Sequence, residues 1–185
     1  FETPSASVGE KQLPARPPQE ALAGPPTRGT VARRLTREEL ARTVHRLLGN
    51  DAPIDTSLLP DDTLTPFDND VLEQSPSMRL VESMETIALD LASWTTATPA
   101  RMSRVVPCVT EDAACFRSFV TTFGLRALRR PLSDEEANGM AELFSYGFKD
   151  GVAVALRVFF LHPELLYRVE PGVSTDGGLV RLSSY

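Results

Sequence analysis

No run of apolar residues in this sequence approaches the roughly 18 needed to cross a bilayer. The most apolar stretch, "GVAVALRVFFLHP" at 151–163, is broken by Arg157 and closed by Pro163, and it reads as a buried helix. Positive charge is not in excess: 19 Lys and Arg stand against 25 Asp and Glu, a formal net charge of −6. The sequence pI is about 5.0, which argues against a sequence-independent nucleic-acid binder. Histidine is scarce. His45 and His162 have no recognisable catalytic or ligating partner in sequence and read as surface or capping residues. There is no G-x-S-x-G, no H-E-x-x-H, no Ser/His/Asp spacing and no glycine-rich phosphate loop, so no catalytic residue is assigned. Sustained alternation of apolar and polar residues is also absent, which places the fold in the mainly α class.

Cysteine is nearly absent. Cys108 and Cys115 match neither C-x-x-C nor C-x-x-C-H, and a zinc site would need ligands that the neighbouring sequence does not supply. Two free thiols or one local disulfide remain, and a disulfide would imply an oxidising compartment.

Hydrophobic residues make up 42% of the 185, enough for a real core in one ordinary domain or two small helical ones. The sequence divides into a Pro-rich tail or linker over 1–34, a helical unit over 35–100 and a second helical unit over 101–185. The expected architecture is an irregular bundle of about five helices with long loops and an extended Pro-rich tail at its N-terminus. No internal repeat is visible. In "LTREELARTVHRLLGN", Thr36 and Glu39 form a capping box, Leu35 and Leu40 take the staple positions, and Gly49 supplies the stop. A second helix follows Ser75 with Pro76 in its first turn, carries Leu80, Met84, Ile87, Leu91 and Trp94, and ends at Pro99. A third begins after Thr110 and runs toward Arg130, where Pro131 ends it. A fourth starts at the Ser133–Glu136 capping box, and a fifth covers about 151–161.

Two clusters could carry chemistry. Asp61, Asp62, Asp68 and Asp70 are weak calcium candidates, because hard cations take oxygen ligands, but the EF-hand spacing is missing and turn capping is the better reading. In "FGLRALRRPL", Arg126, Arg129 and Arg130 crowd a helix end. There, cations favour the dipole and guanidinium groups fork to carboxylates or carbonyls. Structural ion pairing, with Glu135, Glu136, Glu164 and Glu170 as candidate partners, is favoured over an anion site.

Four segments in order carry a resemblance: "RRLTREELARTVHRLLG", "FDN" at 67–69, "CFRSFVTTFGLRALRRPLSDEE" and "HPELLYRVE". Together they resemble large secreted planctomycete-type proteins assembled from serial domains of unknown function, often fused to c-type cytochrome modules. Three positions depart from that pattern: Arg46 stands where an acidic residue is common, Pro66 where glycine is usual and His162 where serine is. The resemblance implies a disulfide between Cys108 and Cys115 and a structural role for Arg129, Arg130 and Arg168. It also implies a larger parent protein, periplasmic or at the cell surface. The C-x-x-C-H module is not in this sequence, so no cofactor is assigned to the chain, and haem is expected only elsewhere in the parent assembly. The chain opens at Phe1 and breaks off after "GGLVRLSSY", which raises the expectation of a processed chain or excised fragment. The leading expectation is a non-catalytic structural or interaction module. Its partner would be the C-terminal portion of the same gene product or another subunit. The alternatives are a subunit of a redox-cofactor-containing electron-transfer complex and a surface-polymer or carbohydrate binder.

Overall fold

The computed structural model describes residues 32–60 and 76–168 and the short strands at 172–174 and 180–182. The tail expected over 1–34 lies outside the described residues up to residue 31. So do Asp61, Asp62, Asp68 and Asp70, the "FDN" motif and Glu170.

The fold is mainly α. A short strand β1 (Arg33–Arg34) leads into α1 (Arg37–Leu48), whose buried stripe is Leu40, Val44, Leu47 and Leu48. Gly49, at φ +115°, stops α1 in a conformation that a side chain would resist. After a 3-10 turn at Thr56–Leu58 comes α2 (Met78–Thr96). Its cap is Ser77 rather than Ser75: the Ser77 hydroxyl accepts from the Leu80 amide at 3.2 Å, and Pro76 stays outside the first turn. α2 ends at Thr96, just ahead of Pro99 as expected, but Pro99 also begins a helix. It sits at the first position of α3 (Pro99–Met102), where its missing N–H costs nothing and Thr98 caps.

The second half runs α4 (Ala113–Leu128), α5 (Asp134–Ala141), α6 (Phe148–Leu161), α7 (Pro163–Leu166) and β2 (Tyr167–Arg168). The single helix expected from Ser133 is shorter than its sequence pattern: α5 gives way to a 3-10 turn at Glu142–Tyr146, and Gly147 at φ +92° opens α6 three residues before residue 151. Strand β2 pairs antiparallel with β1, Arg33 opposite Arg168 and Arg34 opposite Tyr167. The remaining strands, β3 (Gly172–Ser174) and β4 (Val180–Leu182), form a separate antiparallel pair.

One hydrophobic core collects side chains from Leu35 to Leu166, with α2 lying along α6. Its centre is a chain of phenylalanine rings. Phe116, Phe119 and Phe123 follow one face of α4, with 5.8 Å between successive ring centroids, and Phe123 meets Phe159 of α6 at 5.4 Å. Spacings of this size suit edge and tilted ring packing, worth about 0.5–1.5 kcal/mol per pair beyond area burial.

Two glycines give opposite expectations. A Cβ on Gly151 would stand 2.6 Å from the Leu143 carbonyl oxygen and 3.0 Å from the Phe116 ring, whereas one on Gly139 would meet nothing within 4 Å. Gly151→Ala should therefore destabilise by about 1–3 kcal/mol through overpacking. Gly139→Ala, inside α5, should stabilise by about 0.5–1 kcal/mol by relieving the backbone-entropy cost. Urea denaturation of both variants checks the two signs.

Candidate functional site

Besides the packing of α2 along α6, the two halves of the fold meet at the segment His162–Arg168, and arginines hold it from both sides. At the first half, Thr36 and Glu39 form the expected capping box: the Glu39 amide donates to the Thr36 hydroxyl at 3.2 Å and the Thr36 amide to Glu39 Oε2 at 3.0 Å. Arg33 then clamps the same carboxylate, donating to Oε2 at 2.7 Å and Oε1 at 3.0 Å. The second half repeats this atom for atom. Ser133 and Glu136 form the box at 3.2 and 2.7 Å, and Arg130 forks onto Glu136 with both distances 2.8 Å. The shared pattern is R-x-L-[ST]-x-E-E, read in "RRLTREE" at 33–39 and "RPLSDEE" at 130–136. It is a short repeat that sequence inspection passed over.

Both boxes face the α7–β2 segment. Arg130 also pairs with Glu164, donating from Nε at 2.6 Å and from a terminal nitrogen at 3.1 Å. Arg129 takes a left-handed conformation, φ 60°, as the C-cap of α4, an unusual position for a residue with a Cβ and one that costs about 1–2 kcal/mol. In that position its guanidinium donates to the Glu164 and Leu165 carbonyls. Burial, with the nearby Arg168 charge, pulls the Arg129 guanidinium below its ordinary range, and Glu164 opposes this. Arg168 itself is exposed on β2 and acts through charge on both Glu39 and Arg129. On the first half, the Leu35 amide donates to the Leu166 carbonyl at 2.8 Å. His162 caps α7, its Nδ1 accepting from the Glu164 amide at 3.2 Å.

The structure separates Arg126 from this joint. Arg126 reaches the C-terminal end of α1 instead, donating to the Arg46 carbonyl at 2.6 Å, with the Leu47 carbonyl at 3.5 Å. Its neighbours Arg129 and Arg130 lie beyond the helix end, so the αL turn sends them the other way.

A second cluster was not anticipated from the sequence. Arg101 stacks on Trp94 with its guanidinium carbon 4.3 Å from the ring centroid and donates to the Trp94 carbonyl at 3.3 Å. Arg104 approaches the same ring at 5.8 Å, pairs with Asp51 and reaches the Leu48 carbonyl at 3.4 Å. The available signal was weak: two arginines just after a Pro-initiated turn, downstream of the one tryptophan. Cys108 and Cys115 form a disulfide, Cα to Cα 5.9 Å, which ties the segment after α3 to the first turn of α4. Among the described residues no group of three or more His, Cys, Asp or Glu could hold a metal. No described helix is long and apolar enough to cross a membrane.

Residues 33–97 match the family model PSD3, described as a protein of unknown function (DUF1587), and residues 115–170 match PSD5, a protein of unknown function (DUF1595). Both are domains of unknown function typical of planctomycete-type proteins. Each match contains one R-x-L-[ST]-x-E-E box. No curated protein and no solved structure matches the chain.

The boxes set an acid limit. Arg33 beside Glu39 and Arg130 beside Glu136, helped by the cap amides, hold both carboxyls down at about 2 against an ordinary 4.5. A carboxyl lowered by folding contributes stability that is complete above its unfolded value and lost as pH falls toward its folded one. Melting temperature should hold near neutrality and drop between about pH 4.5 and pH 2. Glu136→Gln should flatten part of that drop, which thermal melts across the range would read.

Proposed function

We propose that this chain is a non-catalytic helical module of a larger exported protein, periplasmic or at the cell surface. Its work is to pack against another portion of the same gene product or a second subunit. The observation that carries this is how the charged residues of the joint are used. Arg130 is shared by Glu136 and Glu164, Arg129 is spent on two backbone carbonyls, and Glu39 and Glu136 serve as caps. Groups held this way fasten elements together. The disulfide supports export, because such bonds persist in oxidising compartments.

Arg130→Ala should lower stability by about 1–2 kcal/mol, since it breaks charge-assisted bonds that are only partly buried. For a chain of this size that corresponds to roughly 3–6 °C in melting temperature. An unchanged melting temperature together with loss of a bound ligand would turn the reading toward an anion site. Alkylation of protein recovered without reductant should label neither cysteine. Labelling of both would remove the exported location. A Soret band in the native preparation would favour the redox-subunit alternative.

A further inference from the structure

The C-terminal end of α1 is the second place where arginines gather, and it differs from the joint in one respect. At the joint Arg33 and Arg130 are matched by carboxylates, and Arg129 alone is held by carbonyls. At the α1 end the guanidinium groups are matched by carbonyls, which satisfy hydrogen bonds and leave the charge in place. Arg126 donates to Arg46 O and Leu47 O, Arg101 to Trp94 O, and the Arg46 side chain is exposed. Among the described residues no carboxylate forms an ion pair with Arg46, Arg101 or Arg126, and Asp51 alone is paired with Arg104. Arg46, Arg101, Arg104 and Arg126 thus gather at one end of a chain whose formal net charge is −6, with Asp51 paired to Arg104 and also acted on by the Arg101 charge. The ends of α1 and α2 also carry the negative poles of their dipoles, each about half an elementary charge.

We propose that this end of the fold is an interaction surface for an acidic polypeptide segment, with Arg46, Arg101 and Arg126 as its cationic contacts and Trp94 at its edge. The proposal rests on the module reading above and names the surface and the chemistry of the partner. A chain of carboxylates fits better than a single phosphate. Arg126 comes from α4, Arg46 from α1 and Arg101 from α3, and each of Arg101 and Arg126 already spends part of its fork on a carbonyl. Charges spread in this way favour repeated single contacts over one converging cradle.

Poly-L-glutamate is the probe, titrated onto the full chain at low salt with the emission of Trp94, the one tryptophan, as readout. Saturable binding that weakens steeply between about 20 and 200 mM salt is expected, because exposed charges are screened over that range. Arg46→Glu should weaken it about tenfold. Its melting temperature should stay within a degree or two of the parent's, since the Arg46 side chain is exposed. No saturable binding at low salt, or binding indifferent to Arg46→Glu, overturns the proposal. Dextran sulfate bound in preference to poly-L-glutamate at equal charge overturns the polypeptide assignment. Failure here removes this surface only; the module reading stands or falls on the Arg130 and cysteine measurements.

Discussion

A carboxylate that serves a helix cap and an arginine at once is the interaction on which the rest of this fold depends. Glu39 and Glu136 each accept a cap amide and both ends of a guanidinium fork. A capping box by itself satisfies two of the amides left orphaned at a helix start. Adding the arginine fixes the direction from which the chain enters the helix. That direction delivers β1 to β2 in the first half and Arg130 to Glu164 in the second. The segment His162–Arg168 is thus located by two local motifs about a hundred residues apart. Bonds that share an atom in this way polarise one another.

The choice of cation follows from the same geometry. Lys11 and Lys149 are the only lysines in the sequence, and the cations that bond the carbonyls at the ends of α1 and α7 are arginines. Arg129 covers two successive carbonyls of α7, Arg126 two of α1, and Arg37 the Leu59 and Pro60 carbonyls. Carbonyls at a helix C-terminus have no partner within the helix and carry the negative pole. A planar fork can serve two of them at fixed spacing, which a single ammonium on a flexible stem does poorly. Arg129 shows how far this goes: it holds a left-handed backbone that glycine would adopt more cheaply, because glycine has no fork to place on α7.

What could be read from the sequence was whatever depends on near neighbours. The Thr36 and Ser133 boxes, the Gly49 stop and the mainly α fold follow from residues three to five apart. The apolar stripe of α1 follows from the same spacing, and all are found in place. Pro76 misled, and the helix that Pro99 opens was missed, because proline both ends and begins helices and the deciding factor is the serine or threonine beside it: Ser77 and Thr98. Partners far along the chain were the illegible part. Arg126 is three residues from Arg129, yet it serves α1 across a sequence distance of 80. No local spacing carries that information, because the turn at Arg129 redirects the chain between them.

The stretch 98–114, between the two matched family segments, is the last element to place. Its composition would allow a hinge. It is pinned instead at both ends: Arg101 and Arg104 hold one end to Trp94 and the end of α1, and the disulfide holds the other to α4. Val105 and Val106 are buried between these two anchors. A connector fixed in this way is part of the core and not a free linker. The two domains of unknown function are therefore joined through the packing of α2 along α6, through the α7–β2 segment and through their linker. Any force that separates them must break the core at Val105 and Val106 as well as the arginine joint.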